Sequence, residues 1–168
     1  LIHRHERTVQ QQKAAHERQL SKQAMLVCNP TNDLEGAVKE CDDLQTLLES
    51  SNTAVTRLTG QDQATKASVM NLLDERDGLE EKQGLDWLHF ACHGGFDESN
   101  FYSSALLMAG KEKLTFLDLL SQQLRPLRLV VLSACETGVG MSSNSSLGNE
   151  YTGLPYPFLG GGAQGVIS

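Results

Sequence analysis

No stretch of this chain approaches the roughly 20 apolar residues that a membrane-spanning helix needs. The first residues lack the apolar segment and small-residue cleavage site of a secretory signal. Four cysteines, Cys28, Cys41, Cys92 and Cys135, make no CxxC pair and no regular framework. These absences set the expectation of a cytoplasmic protein with free thiols and no membrane partner. Phosphate loops are missing too. Neither Gly138-Val139-Gly140 nor Gly160-Gly161-Gly162 joins a strand to a helix in GxGxxG or GK(S/T) form. No ligand spacing supports a zinc site from Cys92, His93, Cys135 and a carboxylate, so neither metal nor cofactor is expected. Aromatic residues are scarce, at 5%, and 15 glycines suit the short turns of an α/β domain better than a coiled coil.

What remains is enough for one ordinary core: 168 residues, 39% of them hydrophobic. The formal charge of −7 is unevenly spread. Arg4, Arg7, Lys13, Arg18 and Lys22 outnumber Glu6 and Glu17 by three, which leaves −10 on the remainder. An acidic body argues against direct nucleic-acid binding. Residues 1–23 are polar, Gln-rich and free of Gly and Pro. They read as a helical linker or the end of a preceding helical region. Residues 24–168 carry the domain.

Along that domain, 24–28 is an apolar run ended by Asn29-Pro30, a first strand and turn. Apolar residues at helical spacing predict a helix over 35–48, with Cys41 on its inner face. A β-branched stretch at 53–58 is a second strand, followed after Thr59-Gly60 by a helix over 64–73 with Ala67, Met70 and Leu73 inward. The acidic stretch 74–82 reads as a surface loop or frayed helix end. Strands follow at 85–92 and, as an edge, at 105–108. Thr115 caps a helix beginning at Phe116, and a further strand spans 127–134. Residues 138–149 form a Gly/Ser/Asn-rich loop expected to be mobile. A helix over 150–159 is shortened by Pro155 and Pro157, and 165–168 opens another strand. The sequence stops inside that strand, so the carboxyl-terminal part of the domain is expected to be missing. Strands alternating with helices predict a parallel, doubly wound α/β sheet.

Two of these strands share a design. Leu85-Asp86-Trp87-Leu88-His89-Phe90-Ala91-Cys92 runs into His93-Gly94-Gly95, and Leu127-Arg128-Leu129-Val130-Val131-Leu132-Ser133-Ala134 runs into Cys135-Glu136-Thr137-Gly138. Ligands of such sheets bind outside the carboxyl ends of the strands. If the two strands are neighbours, an imidazole and a thiol meet on one edge. The thiolate is the attacking species, and an imidazole can take its proton and later protonate a leaving amine. Acyl hydrolysis also needs donors facing the developing oxyanion, for which the Gly94 and Cys135 amides are candidates. Gly95 leaves room for an approaching peptide. Glu136 and Asp97, with Glu98, could give the site a negative rim that favours a basic side chain.

The ordinary reading stands beside this one. A cysteine at a strand end is commonly packing, a histidine there is commonly structural, and loop carboxylates are commonly solvated. Cys92 should point away from His93, because consecutive strand residues face opposite sides, so it belongs to the core. His89 sits about 13 Å further down the strand and is expected to have a structural or surface role. Cys28 also reads as core.

The paired blocks resemble the two signatures of CHAT-domain peptidases, namely His93-Gly94-Gly95 and Leu132-Ser133-Ala134-Cys135-Glu136-Thr137-Gly138. These are caspase-like, clan CD cysteine peptidases that often accompany tetratricopeptide repeats. Leu26-Val27-Cys28-Asn29-Pro30 with Leu34-Glu35-Gly36-Ala37 resembles the family's first strand and helix. The likeness extends over about residues 24–168. It implies a caspase-like three-layer α/β sandwich with a mostly parallel sheet. It also implies His93 as base, Cys135 as nucleophile, Gly94 and Cys135 amides as oxyanion hole, and metal-free hydrolysis of a protein or peptide. A repeat region in the same protein, or a regulatory protein, would be the controlling partner. A caspase-like interaction module without turnover is the alternative.

Overall fold

The structure, a computed structural model, describes residues 22–77, 80–81, 83–95, 102, 104–134 and 153–168. Strand β1 (Lys22–Cys28) leads into helix α1 (Glu35–Ser50), followed by β2 (Thr53–Thr59), α2 (Gly60–Gln63) and α3 (Lys66–Leu73). The pair β3 (Arg76–Asp77) and β4 (Glu80–Glu81) precedes β5 (Leu85–Ala91). Then come β6 (Gly94–Gly95), β7 (Ala105–Leu107), β8 (Lys113–Thr115), α4 (Phe116–Ser121), β9 (Leu127–Ser133), α5 (Pro155–Gly160) and β10 (Gly165–Ile167).

Five parallel strands form the central sheet in the order β2-β1-β5-β9-β10. The chain steps from β1 outward to β2, then returns past β1 and continues through β5 and β9 to β10. The order therefore reverses between β1 and β5, and their carboxyl ends are the sheet's switch point. β6, β7 and β8 make a separate antiparallel sheet beyond the end of β5.

Alternation along the strands splits the interior in two. Met25 and Val27 of β1, Leu88 and Phe90 of β5, and Val130 and Leu132 of β9 face one side, where Val69 and Leu73 of α3, Leu119 of α4 and Phe158 of α5 cover them. Each such fully buried Leu or Phe contributes about 1.5–3 kcal/mol relative to exposure. Leu26, Cys28 and Ala91 face the other side and pack with Cys41 of α1, along with partly buried Ala37, Leu44, Val55 and Trp87. The result is an α/β sandwich of helix, mostly parallel sheet and helices, as expected. Thr115 caps α4 in a capping box with Asp118, also as expected. At the amino ends of the strands, buried Arg125 donates to Gln23 Oε1 (2.9 Å) and to the Gln83 carbonyl, closing that edge.

Several local expectations change. Cys28 and Cys41 are joined in a disulfide, with Cα atoms 6.3 Å apart, so neither is the free thiol foreseen. The bond runs from the end of a strand to the helix that packs on it, a proximity that linear cysteine spacing does not express. Lys22 and Gln23 extend β1 rather than belonging to the preceding segment. The helix foreseen over 64–73 is shorter and preceded by α2; Val69 is buried and Ala67 is exposed. The acidic 74–82 stretch contains β3 and β4. The strand at 105–108 joins the small antiparallel sheet instead of edging the large one. The segment 1–21 and the loop foreseen at 138–149 lie outside the described residues.

Candidate functional site

The switch point between β1 and β5 is built from the short loop after each strand. β1 ends at Cys28 and the chain turns sharply at Asn29, whose φ is 45°. Asn29 is buried. Its backbone N–H donates to the Ala91 carbonyl at the end of β5 (2.8 Å), which locks the two strand ends together. Its side-chain Oδ1 accepts from the N–H groups of Asp33 and Leu34, both at 3.0 Å, and so closes the loop that starts α1. An Asx side chain that folds its own loop in this way tolerates the left-handed backbone that most residues avoid.

His93 follows β5 by two residues. Its carbonyl accepts from the Leu107 N–H (2.9 Å), which anchors its backbone to β7. Its ring, about one third exposed, places Nε2 3.0 Å from Asp33 Oδ1. The Thr31 hydroxyl donates to the same carboxylate oxygen. Asp33 is held below its ordinary carboxyl value, first by the Thr31 hydroxyl, with desolvation pulling the other way and His93 adding further stabilisation of the charged form. The carboxylate stays ionised across the neutral range and accepts the Nε2–H.

Gly94 and Gly95 pair with β7 opposite Leu106 and Ala105. Because Leu107 donates to His93, the Gly94–Leu106 pair is the non-hydrogen-bonded kind, and Gly94 N–H points away from β7. A Cβ at Gly95 would touch nothing within 4 Å, so that side of the loop is open.

β9 lies directly beside β5, with Ala91 opposite Ser133. Pairing continues one step further, as Cys92 N–H donates to the Ser133 carbonyl (3.3 Å). Cys135, Glu136 and Asp97 lie outside the described residues. Cys92 behaves as core: it is buried, and burial pushes its thiol up to about 12. Of the structural and surface roles foreseen for His89, the structure supports the structural one. The residue is buried, and its Nε2 meets Glu40 Oε1 of α1 at 2.9 Å. The other Glu40 oxygen accepts from the Ser133 hydroxyl (3.0 Å). Burial lowers His89 below its ordinary value, and Glu40 only partly offsets that.

The sequence model of the CHAT domain matches residues 2–168. The chain belongs to the CHAT domain family. No curated protein matches the sequence. In this CHAT domain the His93 block stands at the sheet's switch point, while a surface depression among the described residues lies elsewhere. That depression, about 470 Å³, is lined by Glu75, Leu124 and Pro126 with Pro157 and Gly161, at the amino-end connections, away from His93. Among the described residues no cluster of His, Cys, Asp and Glu could hold a metal ion, and no helix is long and apolar enough to cross a membrane. Two residues of the site escaped the sequence reading, Asn29 and Asp33. Asp33 lies 60 positions from His93. The one available signal was an Asn-Pro turn with Asp four residues after the Asn, ending the first strand of a doubly wound sheet.

Proposed function

We propose that this CHAT domain is a cysteine endopeptidase domain that hydrolyses peptide bonds with Cys135 as nucleophile and His93 as base. One observation carries the reading: Ala91 and Ser133 are register partners on adjacent parallel strands, and His93 and Cys135 each follow two residues later. Adjacent strands run about 4.8 Å apart, a spacing suited to a thiol and an imidazole meeting above them.

In the reaction His93 takes the thiol proton of Cys135, and the thiolate attacks the scissile carbonyl carbon. The oxyanion that forms is stabilised by the Gly94 and Cys135 amides. The orientation of Gly94 N–H away from β7 accords with that role. Collapse breaks the C–N bond, and the leaving amine takes the proton from His93. Water then attacks the thioester, giving its proton to His93, and the thiolate leaves with the carboxylic acid product. The open face of Gly95 leaves a path for the substrate backbone. Asp97 and Glu136 would bias the site toward a basic side chain beside the cleaved bond. A tetratricopeptide-repeat region of the same protein, or a separate regulatory protein, would control access. We place the domain in the cytoplasm; both sulfurs of the Cys28–Cys41 bridge are fully buried, which shields the bond from soluble thiols.

Incubating the full-length protein, together with its activating partner, with a proteome-derived peptide library and reading new termini by mass spectrometry tests the reading. Cleavage by the natural protein, lost in Cys135→Ala and His93→Ala, is expected. Cleavage that survives either substitution overturns it. Absence of cleavage under all activating conditions, with the fold intact, returns the non-catalytic interaction module.

A further inference from the structure

Asp33 is a carboxylate that nothing in the reaction above uses, yet it is the group that faces the outer nitrogen of His93. We infer that Asp33 is a positioning residue that fixes the rotamer and tautomer of His93, so that Nδ1 is the nitrogen that receives the Cys135 proton. The inference rests on the peptidase reading for the second half of that statement; the first half stands on geometry.

A carboxylate only accepts hydrogen bonds. With Asp33 Oδ1 3.0 Å from Nε2, the shared proton belongs to Nε2, and the neutral ring carries its lone pair on Nδ1. The Thr31 hydroxyl donates to the same oxygen and helps keep the carboxylate ionised. The backbone of Asp33 is equally constrained. Its N–H donates to buried Asn29 Oδ1, and Asn29 is itself tied to the Ala91 carbonyl at the end of the His93 strand. Just before Asn29, the Cys28–Cys41 disulfide fastens β1 to α1. The carboxylate is thus presented from a loop whose two flanking elements are bonded together. A loop carboxylate that served only as a solvated surface charge would need none of this support.

The position also sets the expected size of the effect. Asp33 is well exposed, so water screens its charge and its main contribution is directional. Loss of such orientation costs a share of the roughly hundredfold to ten-thousandfold that a general base supplies.

The test uses Asp33→Ala and Asp33→Asn in the full-length protein, with two readouts. The first is steady-state cleavage of a peptide taken from the library experiment. Asp33→Ala should lower kcat at least about fivefold with KM within about threefold, and Asp33→Asn, which still offers an Oδ1 acceptor, should recover most of that loss. A smaller loss, or one carried by KM, overturns the assignment; a KM effect would mark Asp33 as a substrate contact. The second readout is the ¹⁵N spectrum of the histidine rings, with His93 identified by its absence in His93→Ala. The natural protein should show the Nε2–H tautomer for His93 and Asp33→Ala a mixture; an unchanged tautomer overturns the positioning role. If the natural protein cleaves nothing, or His93→Ala cleaves normally, the peptidase reading fails. The spectrum then still decides whether Asp33 orients the ring.

Discussion

Strand β5 and the turn after it carry two imidazole–carboxylate pairs four residues apart, in opposite surroundings. His89 points into the face covered by α1, is buried, and meets Glu40 at 2.9 Å. His93 stands past the strand's end, is about one third exposed, and meets Asp33 at 3.0 Å. By distance and partner type they are nearly the same. What separates them is height on the sheet. His89 sits level with Val131 of β9, inside a packed layer. His93 sits beyond the last residue of β5, past the edge of the large sheet, with its backbone held by β7. On the peptidase reading, a carboxylate partner alone does not distinguish the two histidines; position at the carboxyl edge of the switch point does.

Turnover gives the largest contrast. His93→Ala should lower kcat/KM at least about a hundredfold, the low end of a general base's contribution, whereas His89→Gln should leave it within about threefold in protein that remains folded. Equal losses in the two variants would erase the distinction. Stability should show the reverse order. Glu40→Ala leaves the buried Nε2 of His89 without its acceptor, which costs about 1–3 kcal/mol. Thermal denaturation should register that drop, with a smaller one for Glu40→Gln and almost none for Asp33→Asn, whose side chain is exposed.

Acid sharpens the same contrast. The folded His89 binds its proton more weakly than the unfolded chain does, because burial lowers it from 6.5. The unfolded state therefore holds more protons as pH falls below about 6.5, and stability falls with it. Asp33 and Asp118 are also depressed in the folded state, from 3.8, so their contributions are present above that value and are lost as pH falls further. Melting temperature should decline between pH 7 and 5 in the natural protein and decline less in His89→Gln. A parallel decline in both would remove His89 from the account. The smallest expected signal is a null one. Cys92, buried and shifted to about 12, should resist iodoacetamide at pH 8 in folded Cys135→Ala protein and react once it is unfolded.

Much of the scaffold was legible before any coordinates. Continuous apolar runs mark β1, β5 and β9, and a period-3.6 pattern marks α1, since burial in a covered sheet must be supplied by the sequence. Alternation of strands with helices marks a parallel sheet, whereas the adjacency of β5 and β9, a condition in the sequence reading, comes from the observed pairing. Short elements were harder. β3, β4 and β6 are two-residue pairings whose existence depends on partners elsewhere in the chain, so local residues carry little of their signal. The disulfide and Asp33 were missed for a related reason. Cys28 meets Cys41, and Asp33 meets His93, only because strand, loop and helix fold back on one another. His93 was legible because its glycines and its strand are contiguous with it. Its carboxylate was not, because proximity through the switch point is a property of strand order.

The claim that His93, and not His89, serves the thiol can be measured without knowing a substrate. Iodoacetamide labelling of Cys135 near neutral pH, followed by peptide mass spectrometry, reads thiolate reactivity directly. The account predicts that His93→Ala slows labelling of Cys135 by roughly tenfold while His89→Gln leaves it unchanged. Equal labelling rates in the natural protein and in His93→Ala would contradict it.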